Sequence, residues 1–424
     1  MHLLIKNAHV VGPEPFDGDV LTTDGVIAAL GHSLAAPAKT TVIDVKGATL
    51  MPGLVDVHVH FREPGFEAKE TIKTGAQAAA HGGFTTVVAM PNLNPVPDNV
   101  KDLEALIQKN HQDAKIHVLQ FAAITAGLHS QKPTDYCGLK AAGALGFSND
   151  GVGVQDAATM YRAMLGAKQA NAPIVAHIED EGFKGDGVMN AGPKADELGL
   201  PGMSNLTETA QLARDLVLAQ ASGVHYHACH VSTALSVDLI RDARARGVNV
   251  TAEVSPHHLL LADQDIPSDD AMYKMNPPLR SEADRQALIK GLLDGTLDMI
   301  ATDHAPHTAA EKTGSMRSAA FGIVGSETAF GLLYTRFVMT NIFTLNQLIQ
   351  WMSTNPAEKF GLNAGHLLVG EPADFTVMDL DAQYRIDPKD WFSKGHNSPF
   401  IGQQVYGRTL YTVAGGRIAY KAQS

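Results

Sequence analysis

From residue 51 onward the chain alternates between short apolar runs and longer stretches with a helical period. The runs fall at 54–60, 84–90, 116–122, 144–148, 174–178, 224–231, 248–254 and 297–302. Each is short and nearly continuous in apolar residues, which predicts strands buried on both faces. The stretches 70–80, 100–109, 156–169, 207–221, 234–246 and 283–293 lie between them and are Ala-rich. Eight strands alternating with helices predict an α/β fold of the (β/α)8 TIM-barrel type, with a doubly wound open sheet as the structural alternative.

The two ends of the chain have a different texture. Leu3-Leu4-Ile5, Val10-Val11, Val20-Leu21 and Val26-Ile27 are separated by Gly, Pro and Asp, which predicts short strands joined by turns. After helical segments at 327–341 and 346–352, strand patterns return at 375–378, 405–406, 409–413 and 417–420, with Gly415-Gly416 as a hairpin turn. These ends are expected to pair into a small β-sandwich. The predicted organisation is 1–50 and 361–424 as its two parts, with the barrel over 51–360.

A length of 424 residues exceeds the roughly 250–300 that one core usually serves, in keeping with two units. Apolar content of 45% and charged content of 18% are those of an ordinary globular protein. A formal net charge of −12 argues against nucleic acid or an anionic membrane as partner. It leaves room for a small anionic substrate in a local cationic pocket. Cys137 and Cys229, the two cysteines of the chain, make no disulfide framework and suit a reducing compartment. Cys229 reads as a small buried thiol. The N-terminal residues do not have the pattern of a signal peptide, and no apolar run is long enough to span a bilayer. The expected location is the cytoplasm.

With cysteine excluded, any metal site must use His and carboxylates. His58-Val59-His60 ends the first apolar run, and alternate residues of a strand share a face. Asp150 follows the fourth run, His177 ends the fifth, His230 the sixth and Asp303 the eighth. In a (β/α)8 barrel these ends meet at one mouth. Four imidazoles and two carboxylates suit two divalent zinc-like ions, with Asp150 able to bridge them and a hydroxide shared between them. Such a centre makes a nucleophile at neutral pH, and Asp303 can pass its proton to a leaving nitrogen. The chemistry is amide hydrolysis, run in either direction.

His2, His9, His32, His111, His117, His129, His225 and His366 read as surface or packing residues. His227 is expected on the opposite strand face from His230, three positions on. His257, His258 and His304 follow strand ends and stay open. Arg62, Asn92, Asn276 and His307 follow strand ends too, and an Arg beside two amides and a His can form a fork for a carboxylate. The polar stretch 308–318 reads equally as a lid over the mouth or as an ordinary exposed loop.

These residues lie in longer patterns. Residues 51–65, around His58-Val59-His60-Phe61-Arg62, resemble the first signature of the bacterial type I dihydroorotases of the amidohydrolase superfamily. Ala301-Thr302-Asp303-His304-Ala305-Pro306-His307 resembles their second. Residues 83–92, 274–280, 321–325 and 370–374 match as well, so the resemblance covers nearly the whole chain.

It implies His58, His60 and Asp303 at one zinc, His177 and His230 at the other, and Asp150 between them. Asp303 would be the acid/base. Arg62, Asn92, Asn276 and His307 would contact substrate, with His60 beside them and main-chain contacts near Phe321 and Gly322. The implied reaction is reversible closure of N-carbamoyl-L-aspartate to L-dihydroorotate and water, in pyrimidine biosynthesis. A homodimer, and association with an aspartate transcarbamoylase, are arrangements the family allows.

Two departures bear on this. Relatives with a carboxylated-lysine bridge carry Lys near the end of the fourth strand, where this chain has Asp150. Type I relatives often have two adjacent Asp residues there, whereas this chain reads Asn149-Asp150. The competing readings are a hydantoinase- or allantoinase-type cyclic amidohydrolase and an inactive dihydroorotase-like scaffold subunit. An inactive scaffold should have lost ligands, and all six are present.

Overall fold

The structure is a computed structural model describing residues 2–12 and 14–423. Its centre is a closed parallel barrel. The strands are, in order, Leu54–Val59, Phe84–Ala89, His117–Gln120 with its continuation Ala122–Ala123, Phe147–Ser148, Ile174–Ala176, Tyr226–Ala228, Val250–Val254 and Met299–Ile300. Each pairs in parallel with the next. The ring closes where Val59 bridges His304 and His60 N–H donates to His304 O at 2.9 Å.

The two faces of the strands bury different clusters, which is why the runs read as continuously apolar. Val55, Val57, Val88, Phe121, Val175, Cys229 and Met299 fill the interior, joined by Ala357 and Phe360 of the helix Asn355–Phe360. Leu54, Phe84, Val118, Phe147, Ile174 and Tyr226 belong to the larger cluster that packs on the surrounding helices. Several of those helices start on a side-chain cap: Thr71 accepts from Thr74 N–H, Asp156 from Thr159 N–H, and Thr233 from Ser236 N–H. Caps of this kind satisfy orphan donors of the first turn and fix where each loop ends.

The expected pairing of the two chain ends is present. Strand Phe375–Arg385 runs antiparallel to Thr49–Pro52, so one sheet path links Arg417–Lys421, Gln404–Ala414 and Phe375–Arg385 to Thr49–Pro52, His2–Val10, Phe16–Thr23 and Val26–Gly31. Leu3, Ile5, Val20, Leu50, Phe375, Val377 and Val413 form its core. Gly415 and Gly416 turn the last hairpin with φ of 53° and 70°, the left-handed pair that a tight hairpin needs.

Two helices differ from expectation. The segment predicted over 327–341 is an α-helix only at Ala329–Leu333, then widens into a π-turn at Tyr334–Val338. The one predicted over 346–352 is an α-helix only at Leu345–Ile349 and continues as a π-turn at Gln350–Thr354. Among the described residues, no helix is long and apolar enough to cross a membrane.

Candidate metal centre

The barrel brings all six expected ligands to one mouth. His58, His60 and Asp303 form one group, and Asp150, His177 and His230 another. The ligand atoms of each group lie within 4.8 Å of one another. Asp150 stands between them: Oδ1 lies 3.3 Å from His58 Nε2, 3.5 Å from His177 Nδ1 and 3.7 Å from His230 Nε2. Its Oδ2 is 3.4 Å from His60 Nε2. Asp303 Oδ1 is 3.1 Å from His60 Nε2 and 3.5 Å from His58 Nε2.

The donor set fits metal ions better than it fits itself. His58 Nε2 and Asp150 Oδ1 are buried without a hydrogen-bond partner, a state that costs free energy unless something else fills it. His177 Nδ1 faces His230 Nε2 at 3.0 Å. Donor atoms about 3–3.7 Å apart suit a shared cation held at about 2.0–2.2 Å from each. Burial would raise both carboxyls, but the imidazoles override it. His58 and His60 hold Asp303 down at about 2, and His58, His177 and His230 hold Asp150 well below its ordinary value. Both are therefore ionised.

Three site residues leave the ordinary backbone regions. Arg62, His230 and Asp303 have φ of 61°, 34° and 49°. Such conformations cost a non-glycine residue energy and cluster at functional sites. Here they turn side chains inward where strands give way to loops. They also correct the expectation for His227. Strand Tyr226–Ala228 ends before His230, so counting by twos does not reach it. His227 is not turned away from the site's supports: its Nε2 lies 3.0 Å from Glu253 Oε2.

Glu253 and three other carboxylates were missed in the sequence. Glu253 lies inside strand Val250–Val254, where its Oε1 meets His58 Nδ1 at 2.5 Å and accepts from His230 N–H at 3.2 Å. Asp56 accepts from His58 N–H, Thr302 N–H and Thr302 Oγ1. Glu179 stands 3.8 Å from His177 Nε2, the ring nitrogen opposite the one facing Asp150. Glu70 lies 3.6 Å from His304 Nε2. For Glu253 and Asp56 the available signal was a charged residue inside an apolar run, since a buried carboxylate must find partners; Glu179 and Glu70 lie outside the runs and carried no such signal.

The substrate-side residues do not assemble into one fork. Arg62 and His307 do meet, with Nη2 3.4 Å from Nε2. Because that Nε2 donates to Phe321 O at 2.8 Å, the guanidinium lies beside the ring as a neighbouring charge. Burial and Arg62 together push His307 down to about 3, so its ring is neutral. Asn92 instead presents Oδ1 to His60 Nδ1 at 2.9 Å, and Asn276 donates from Nδ2 to Glu179 Oε2 at 2.5 Å. Gly322, at φ 124°, packs so closely that a Cβ would fall 2.7 Å from the Ala305 Cβ.

His257 and His258 are buried close together, with ring centroids 4.3 Å apart, and His258 Nε2 donates to Pro277 O. His304 accepts at Nδ1 from Gly325 and Ser326 N–H. Asn149 faces away from the centre: Oδ1 accepts from Ile124 and Thr125 N–H, and Nδ2 donates to Thr125 Oγ1 and Leu128 O. The stretch 308–318 is anchored. Lys312 is buried, Met316 N–H donates to Asp269 Oδ1 at 2.6 Å, and Arg317 Nη2 donates to Gly199 O at 2.6 Å.

Comparison with known proteins agrees with this geometry. A family model described as "Dihydro-orotase-like" matches residues 47–236. The chain is 58% identical over 425 residues to a dihydroorotase from Lactiplantibacillus plantarum, covering 99% of each chain. It is 55% identical to one from Enterococcus faecalis, covering 100% of each. Among solved structures it is similar to an L-hydantoinase from Arthrobacter aurescens, with TM-score 0.89 and 25% identity, covering 100% of this chain and 96% of that one. It is also similar to a D-hydantoinase from a Thermus species, with TM-score 0.86 and 26% identity, covering 99% and 95%.

Proposed function

This chain belongs to the dihydroorotase family of amidohydrolases, and from that premise we propose that it interconverts N-carbamoyl-L-aspartate with L-dihydroorotate and water in pyrimidine biosynthesis. We assign the chemistry to the barrel over 51–360, flanked by 1–50 and 361–424, and the site to the cytoplasm. The observation that carries the reading is the convergence of four imidazoles and two ionised carboxylates in a chain so similar to dihydroorotases.

His58, His60 and Asp303 would hold one zinc ion and His177 and His230 the other, with Asp150 shared. Bound there, the metals supply Lewis acidity and a lowered pKa for water. In ring opening, water attacks the ring amide carbon. Asp303, ionised beforehand, takes the proton that the attacking oxygen sheds and holds it on its carboxylate. As the carbon–nitrogen bond breaks, Asp303 returns that proton to the departing ring nitrogen, which balances the step. Ring closure is the reverse.

Arg62 supplies the charge that recognises the ring carboxylate, with neutral His307 and the Phe321–Gly322 main chain beside it. Asn92 and Asn276 stand ready to exchange their present partners for substrate. A hydantoinase reading is not favoured, because Asp150, and not a lysine, lies just after the fourth strand and the full-length relatives at 52–58% identity are dihydroorotases.

The test is hydrolysis of L-dihydroorotate, hydantoin and dihydrouracil by zinc-loaded protein and by the same protein after chelation. Strong preference for dihydroorotate, lost on chelation and regained with zinc, is expected. Preference for an uncarboxylated ring, or activity that survives chelation, would overturn the reading.

A further inference from the structure

Two buried lysines outside the metal centre lock together the loops that follow the seventh and eighth strands. Lys312 and Lys274 are 2% and 4% exposed. Lys312 Nζ donates to Lys274 O at 2.9 Å and to Ala320 O at 3.0 Å. Lys274 Nζ donates in the reverse direction, to Ala319 O at 2.7 Å, and lies 4.2 Å from the Phe321 ring centroid. Gly322 N–H completes the clasp by donating to Lys274 O at 3.0 Å.

Placing two ammonium groups in such a setting is unfavourable unless each is well partnered. Among the described residues, both are spent on main-chain carbonyls rather than on carboxylates. Burial, with Lys274 adding its charge, lowers Lys312 to about 7. The fold therefore accepts a real cost at this point. What the bonds hold is specific: one loop carries Asn276, two residues after Lys274, and the other carries Phe321 and Gly322.

We propose that Lys312 and Lys274 are positioning residues for the ring substrate, fixing the Asn276 loop against the Phe321–Gly322 main chain before substrate arrives. This rests on the reading of Asn276, Phe321 and Gly322 as substrate contacts. Binding to a wall already in place avoids the ordering cost that a loose wall would impose. Because the clamp holds the wall and not the reacting atoms, its loss weakens ground and transition states alike. It should raise KM and spare kcat.

The experiment compares Lys312→Met, Lys274→Met and the double variant, all metal-loaded, with Asn276→Ala as control. Melting curves and metal content are measured alongside the kinetics. Each lysine variant is expected to raise KM for dihydroorotate about tenfold with kcat within about twofold, the size of a lost charged hydrogen bond. The double variant should be no worse than about the weaker single, since both remove one clamp.

Unchanged KM in folded variants, a loss confined to kcat, or fully multiplicative effects would overturn the proposal. If Lys312→Met does not fold, Lys274→Met decides on the same criteria. If neither folds, the lysines hold the fold rather than the site and the proposal falls. A rise in KM for Asn276→Ala without one for the lysine variants defeats the clamp alone. No change for Asn276→Ala defeats the substrate assignment on which it rests.

Discussion

Glu253 and His58, 195 positions apart in sequence, meet inside the barrel with Oε1 2.5 Å from Nδ1. The contact assigns the histidine's two nitrogens to different tasks. Nδ1 is committed to the carboxylate, leaving Nε2 to face Asp150 and Asp303. The second oxygen of Glu253 takes His227 Nε2, and Oε1 also accepts from His230 N–H. One buried carboxylate thus orients a residue of each metal-ligand group.

Glu253→Gln keeps the shape but loses the charge that orients His58. Metal affinity should fall about 10–100-fold, in line with the loss of other outer partners of metal-bound histidines. Competition with a chromophoric chelator measures it directly. Undiminished metal retention would show that His58 is held without this carboxylate.

Arg62→Met tests the carboxylate contact. KM for dihydroorotate should rise about 100-fold, since a charged bidentate contact is among the strongest hydrogen-bonded pairs. Dihydrouracil, which has no ring carboxylate, should be handled no worse than before. Arg62 is also one of the charges holding His307 down at about 3, so the His307 imidazole should titrate at higher pH in the variant, as read by NMR. An unchanged KM would remove Arg62 from substrate recognition.

Asn149→Asp would create the adjacent Asp pair of many type I relatives. Its oxygens can still accept from Ile124 and Thr125 N–H, but Leu128 O loses one of its two donors, keeping Thr125 Oγ1. A cost of about 1–2 kcal/mol in denaturant unfolding is expected, with no gain in bound metal. Extra metal per chain in the variant would show that position 149 reaches the centre after all.

His225 should contribute to acid sensitivity. Burial and neighbouring His227 depress it to about 4 from an ordinary 6.5. Between these values the unfolded chain binds a proton that the folded chain does not. Stability is therefore complete above the unfolded pKa and falls as pH drops through this window, by at most about 3 kcal/mol. His258, also lowered to about 4 by burial, adds to the same window, so the difference between wild type and His225→Gln isolates the single residue. Parallel unfolding curves for the two proteins across about pH 4–7 would refute the assignment.

The sequence by itself determined the barrel, the pairing of its two ends and the six convergent ligand candidates. Buried parallel strands are written as unbroken apolar runs, and His58, His60, His177, His230, Asp150 and Asp303 each sit at or just after such a run. Strand ends of a (β/α)8 barrel share one mouth, so local position was enough to bring them together. Tertiary structure alone decided what each polar side chain faces. Glu253, Asp56 and Glu179 find their partners across the barrel or from loops, at separations no local period encodes. Alternation does not fix the face of His227 relative to His230, because it stops where the strand does and His230 lies beyond that point in a left-handed conformation. Asn92 and Asn276 turned to His60 and Glu179, and Lys312 to Lys274, because a buried polar group takes the nearest complementary partner that the packed loops present.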